Sequence, residues 1–301
     1  MKTQYNNNCP KIILVFLAMF ALLSVSCSKK EPSKEEALSV ILIYQNVTTF
    51  LGQDGSIETE VTGGLPPYSF IWSNGETTED IQGLPAGTYS VTVTDDCDST
   101  VTESIKITQP IPANVIMDIE GNFYITVQIG EQTWMQQNLR VEFTPDSSGI
   151  ESFLYDNNPD YEETYGRLYS WDVAMNGSTD ENSQGICPDG WHIPSDEEWK
   201  ELEIHLGMTR QEADMTNTWR GYGAGTKLAQ GGESGYDALF AGRRTNYGTY
   251  SLFGSYEYMW TSTEYGQYAW RRCLEKGVST VGRWNTFPKT YGFSVRCVKD
   301  K

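Results

Sequence analysis

Gly185-Ile186-Cys187-Pro188-Asp189-Gly190-Trp191-His192-Ile193-Pro194-Ser195-Asp196-Glu197-Glu198-Trp199 is the stretch from which the rest of the chain is best read. Pro188-Asp189-Gly190 is turn chemistry, with Gly190 free to take positive φ. Ser195 with Glu198 three residues on forms a capping box, in which each side chain satisfies an amide at the other end of the first helical turn. Trp199, Leu202 and Leu206 then share one helical face, and Gly207 stands where a helix C-cap belongs. The spacing predicts a strand end, a tight turn, a short strand and a capped helix. It predicts a fold nucleus and places no reaction centre there.

Further landmarks lie on both sides of this stretch. They are Asp118-Ile-Glu-Gly-Asn-Phe-Tyr124, Ile129-Gly-Glu-Gln-Thr-Trp-Met135 with Asn138-Leu139, and Tyr165-Gly-Arg-Leu-Tyr169-Ser-Trp171. Trp260-Thr-Ser-Thr-Glu264 and Gly292-Phe-Ser-Val-Arg-Cys297 follow. With Cys187-Pro-Asp-Gly-Trp-His-Ile-Pro-Ser-Asp-Glu-Glu-Trp199, this order resembles the Fibrobacter succinogenes major paralogous domain, common in Bacteroidetes cell-surface proteins. The resemblance covers about residues 111 to 301 and implies an α+β C-type-lectin-like fold. It implies no particular activity. It further implies that Tyr165 to Met175 packs against the helix after Pro194, and that the last strand pairs with the segment around Phe123.

The composition bounds the partners. Of 301 residues, 22 are Lys or Arg and 40 are Asp or Glu, a formal charge of −18. Such a surface repels nucleic acid and anionic lipid, and it also suits simple solubility of an exported protein. Tyrosine (18) and tryptophan (9) are abundant, and their apolar faces with hydrogen-bonding tips suit wet binding surfaces as well as cores.

Lys2 and Lys11 precede an apolar run from Ile12 to Leu23, and Ser24-Val25-Ser26-Cys27 follows. This pattern predicts an export signal over residues 1–26. Small residues directly before a cysteine resemble a lipoprotein signal box, which implies acylation of Cys27 as the mature N-terminus and a membrane partner through that lipid. Ser24 stands where leucine is usual in that box; an ordinary secreted protein with a spare cysteine is the alternative. Residues 27–37 are charged, carry Pro32 and predict a solvated tether. Outer-membrane attachment follows from the lipid, although Ser28, Lys29 and Lys30 make a poor acidic surface-export tag.

Over residues 38–110 the apolar period is two. Ile57, Thr59 and Val61 alternate with Glu58 and Glu60; Tyr68, Phe70 and Trp72 alternate with Ser69 and Ile71 up to an Asn74-Gly75 hairpin turn. Tyr89, Val91 and Val93 continue the pattern. Short strands at this spacing predict an all-β, Ig-like sandwich. Gly63-Gly-Leu-Pro-Pro-Tyr-Ser-Phe-Ile-Trp72-Ser-Asn-Gly75 and Gly83-Leu-Pro-Ala-Gly-Thr-Tyr89 resemble the repeat of SprB-type gliding adhesins, and one copy implies a spacer.

The second domain, 111–301, opens with a strand over Phe123–Ile129 and a partner at Thr133–Met135. Thr144 to Asp160 predicts a surface loop, Thr209 with Glu212 a second capped helix, and the glycine-rich Gly221 to Gly235 a loop. Four cysteines remain beyond Cys9 and Cys27, and four allow three pairings. The lectin-like resemblance implies a Cys187–Cys297 disulfide, against the alternative of two reduced, buried thiols. Cys97 and Cys273 read as lone thiols.

Chemistry is sparse. His192 and His205 lie thirteen apart, which is no zinc spacing. Trp284-Asn285 fits a calcium-dependent sugar site, but Thr286 replaces its acid, so neither a metal nor another cofactor is expected. Gly221-Tyr-Gly-Ala-Gly-Thr-Lys227 lacks P-loop spacing. The helix motif also resembles that of formylglycine-generating oxidases, yet their cysteine pair is missing near Trp260 to Trp270. No enzyme is expected. The lectin-like resemblance places ligand contact on the long loop region, here Arg243, Arg244, Tyr247, Tyr250, Tyr256, Trp284 and Asn285. Those residues suit a glycan or a surface protein; the alternative is that they only hold loops together. A structural or assembly subunit of an envelope complex is the second reading, and an oxidase or hydrolase the third.

Overall fold

The computed structural model describes residues 36–301, which divide into two compact units between Pro112 and Ala113. The export signal, Cys27 and nearly all of the tether lie outside the described residues. Both units are mostly β, built from antiparallel sheets, with a few short helices in the second.

In the first unit, β1 (Ser39–Gln45), β2 (Gly55–Thr62), β3 (Ser69–Trp72), β4 (Ile81–Leu84), β5 (Gly87–Thr94) and β6 (Thr100–Ile107) form two three-stranded sheets, in orders β1-β2-β4 and β3-β5-β6. Period-two patterning sends Ile57, Trp72, Tyr89, Val91, Val93 and Ile107 into one shared core, while Glu58 and Glu60 face solvent. The Asn74-Gly75 turn forms, with Trp72 and Glu76 facing each other across it, but it does not join a hairpin of paired strands. The preceding β3 pairs with β5 and the following β4 with β2, so the chain changes sheets after the turn.

The second unit begins with β7 (Val115–Met117), β8 (Phe123–Ile129) and β9 (Gln132–Met135). Two short helices, α1 (Glu162–Tyr165) and α2 (Trp171–Ala174), precede β10 (Trp191–His192) and α3 (Asp196–His205). Then come α4 (Arg210–Asp214), β11 (Thr218–Arg220), α5 (Ala224–Leu228), β12 (Arg243–Arg244) and β13 (Tyr250–Ser251). The longest strands, β14 (Tyr256–Tyr265) and β15 (Tyr268–Glu275), are followed by β16 (Val281–Trp284) and β17 (Val298–Lys299).

Strand order is β10-β17-β9-β8-β7 in one sheet and β11-β16-β15-β14 in the other, with β12-β13 a separate hairpin. The final strand therefore pairs with β9 and β10; the segment at Phe123 is one strand further along the same sheet. Trp199 and Leu202 of α3, with Leu206 at its C-cap, enter one core with Trp134, Met259, Leu274, Val281 and Val298, so the helix packs on residues of both sheets. Both expected capping boxes are present, at Ser195/Glu198 and Thr209/Glu212. Trp171 belongs to a different core, with Tyr258, Trp260 and Phe293, and its indole N–H donates to the Thr261 carbonyl at 2.8 Å. The element shares that core, whereas the resemblance implied packing against α3, whose Trp199 and Leu202 lie in the other core.

The glycine-rich segment, expected as loop, contains α5. Glycine serves closeness there: a Cβ on Gly225 would stand 2.6 Å from the Thr280 carbonyl oxygen and 2.7 Å from that of Val278. Cys187 and Cys297 form a disulfide with Cα atoms 6.0 Å apart, fastening the stretch before β10 to the stretch before β17.

Candidate functional site

The site is best built outward from β15, Tyr268-Ala-Trp-Arg-Arg-Cys-Leu-Glu275, whose successive side chains point to opposite faces. Arg272 goes one way; Arg271 and Cys273 go the other.

On the Arg272 side lies a buried ion lattice. Arg272 donates to Asp196 Oδ1 and Glu203 Oε1, each at 2.7 Å. Arg283 of β16 donates to Asp196 through Nε (2.8 Å) and Nη2 (2.6 Å), and Arg220 of β11 pairs with Glu203. Burial opposes the charge on Asp196, but Arg272 and Arg283 outweigh it and hold the carboxyl well below the usual range. Burial pulls Arg220 down to about 10 despite Glu203. Each acid is consumed by internal pairs, so the lattice ties α3 to its sheet and leaves no carboxylate poised for proton transfer.

His192 is similarly engaged. Its Nε2 meets Glu198 Oε1 at 3.0 Å and its Nδ1 meets Asp300 Oδ1 at 2.6 Å. Burial disfavours the imidazolium, but hydrogen bonds and charge from Glu198 and Asp300 prevail and raise its pKa. Ser195 Oγ donates to Glu198 Oε2 at 3.0 Å and not to the imidazole, so the trio has no serine–histidine contact. Among the described residues no group of three or more His, Cys, Asp and Glu is arranged to hold a metal ion.

On the Arg271 side the chemistry is cationic and aromatic. The Arg271 guanidinium lies 4.2 Å from the Phe287 ring centroid, 5.0 Å from Tyr258, 5.3 Å from Trp284 and 5.6 Å from Phe293. Arg243 of β12 shares two of those rings, at 5.3 Å from Tyr258 and 5.1 Å from Phe287, and adds Tyr291 at 5.9 Å. Its Nε donates to Ser251 Oγ at 3.2 Å. Desolvation lowers Arg271 to about 10 and pushes the buried Cys273 thiol up to about 11, making that thiol unreactive. Trp284, Phe287, Tyr291, Tyr256 and Arg243 are all half-buried, giving the cluster a rim at the surface.

The sequence-derived candidates divide around this cluster. Arg243 and Trp284 belong to it, and Tyr256 stacks on Tyr258 at 5.9 Å. Arg244 lies 3.8 Å over Phe153, and the Tyr250 hydroxyl donates to Asn157 Oδ1 at 3.0 Å while its ring packs on Tyr155. Asn285 is buried, its N–H donating to Asn217 Oδ1 at 3.3 Å. Tyr247 stands 87% exposed on the turn between β12 and β13. Sequence reasoning missed Arg271, Phe287 and Tyr291. The available signal was two consecutive arginines inside an apolar strand, which alternation must send to opposite cores.

Another cleft, of about 270 Å³, lies beside the disulfide and is lined by Met117, Ile119, Phe143 and Cys187. Its acids are already bonded, Asp118 to the Tyr124 hydroxyl and Asp189 to the Gln184 amide.

Compared with known proteins, residues 127–299 match the family model described as the Fibrobacter succinogenes major domain. No curated protein matches the chain. Among solved structures, a fimbrial protein from Bacteroides ovatus is similar at 9% identity, over 89% of this chain and 71% of that one, with a TM-score of 0.25. A likeness that slight positions no strand.

Proposed function

The chain belongs to the Fibrobacter succinogenes major domain family, and from that premise we propose that it is a non-catalytic recognition protein of the outer-membrane surface. Acylated Cys27 anchors it, residues 27–37 hold it off the bilayer, and the first unit serves as a single SprB-type, Ig-like spacer. The second unit is a C-type-lectin-like head that binds a glycan or another surface protein. Arg243, Tyr256 and Trp284 make the contact, together with Phe287 and Tyr291. One observation carries this reading: half-buried rings converge at one rim with the Arg243 guanidinium and the buried Arg271 beneath it, whereas the buried carboxylates of α3 are spent on internal pairs. Aromatic faces beside planar donors are what a sugar ring or a peptide edge requires.

The test is to apply the full chain to a broad glycan array and to a panel of surface proteins, with and without calcium. Retention independent of calcium is expected, because Thr286 supplies no carboxylate. If neither array retains the protein, the recognition reading fails. If a stable protein partner co-purifies and no glycan is retained, the head is an assembly surface instead.

A further inference from the structure

The cluster around Arg271 contains an imbalance. Arg271 is 4% exposed, yet its Nε and Nη1 meet no oxygen or nitrogen acceptor among the described residues, and its polar neighbour is the Cys273 sulfur, a weak acceptor. The other buried arginines of this unit are treated differently. Arg167, Arg220, Arg272 and Arg283 meet carboxylates, and Arg296 donates to Asn138 Oδ1 and to the carbonyls of Tyr236 and Asp237. Ring faces offset part of the charge on Arg271, but they do not replace directional acceptors for its N–H groups, and an unmet buried donor is costly. The groups that face it are Tyr258, Trp284, Phe287, Phe293, the Cys273 thiol and a second cation, Arg243. Two cations thus share one aromatic cluster in a protein whose formal charge is −18.

Resting on the recognition reading of this same surface, we infer that the cluster receives a compact oxyanion, a carboxylate or sulfate carried on a sugar. Arg243 meets it at the rim, Arg271 meets it from below, and Trp284 and Phe287 offer faces to the ring that bears it. A planar fork of donors matches two oxygens of such a group at once, which a lysine does not do. The anion supplies the acceptors that Arg271 lacks.

The experiment titrates the full chain with sodium glucuronate, with glucose and with sodium sulfate at constant ionic strength, reading tryptophan fluorescence and the melting temperature. Glucuronate should give a saturable change with an affinity at least about tenfold above that for glucose, the loss expected for one charge-assisted contact. Arg243→Ala, a rim substitution, should weaken the glucuronate response by about tenfold or more while leaving the melting temperature of the unliganded protein within a few degrees. Arg243→Lys should restore only part of it. No saturable response to glucuronate or sulfate overturns the inference. Equal responses to glucose and glucuronate also overturn it and leave sugar recognition standing. A response to sulfate alone supports an oxyanion pocket but overturns the sugar-borne source, and with it the glycan reading of this rim.

Discussion

Asp196 shows how much one residue holds. Its carboxylate faces Arg272 and Arg283 inside the protein, with Lys200 at 3.6 Å. Asp196→Asn keeps the shape and leaves two buried guanidinium groups short of counter-charge, so we expect a loss of about 3–5 kcal/mol in urea unfolding. A loss below about 1 kcal/mol would mean that Glu203 and backbone carbonyls suffice. His192 gives a pH prediction whose sign is fixed by its raised pKa. The stability it contributes is fully present below its ordinary value of 6.5 and is lost as pH rises through the folded value. Burial raises Glu198, but His192 and the Ser195 amide together outweigh it and hold the carboxyl low, so its share is lost as pH falls below its ordinary 4.5. The gap in melting temperature between the wild type and His192→Asn should therefore narrow as pH is raised from 6.5. A gap that stays constant to pH 9 would show that the imidazole is held neutral.

At the scale of elements, α3 is where local signals and long-range packing agree. Ser195→Ala removes one half of the capping box and should cost about 1 kcal/mol. Trp199→Ala empties a core position between Trp134 and Tyr236 and should cost about 3–5 kcal/mol. Unfolding of the two variants under one condition checks that order, and a cap worth more than the tryptophan would contradict the packing described for this helix. The helix, its cap and the Pro188-Asp189-Gly190 turn were legible in the sequence because their partners lie within a few residues. The alternation of β2, β3 and β5 was legible for the same reason. What followed the Asn74-Gly75 turn was not, since sheet membership depends on strands not adjacent in the chain. Gly225 misled because its glycine answers to the Val278–Thr280 backbone more than fifty residues away, not to local looseness. For Arg271 the sequence offered only the consecutive arginines of an apolar strand; its rings come from β14, β16 and the Phe287–Phe293 segment, which only the fold assembles.

For the whole molecule, the disulfide within the second unit and the proposed lipid on Cys27 each carry a prediction. Cys187 and Cys297 are 110 residues apart, and closing a loop of that length restricts the unfolded chain by about 5 kcal/mol. Replacing both with serine should lower stability by roughly that amount, measured without reductant, and an unchanged midpoint would show the bridge to be dispensable. Mass spectrometry of the mature chain should find an acylated N-terminal peptide beginning at Cys27; an unmodified one would remove the lipid from the account and leave the head untouched. The central claim is that the rim formed by Arg243 and Trp284 is where this protein meets its ligand. The most direct measurement compares the full chain with the double variant Arg243→Ala, Trp284→Ala on the same glycan and surface-protein arrays, after circular dichroism shows the two equally folded. The account predicts specific retention of the wild type and its loss in the variant; equal retention of both proteins would contradict it.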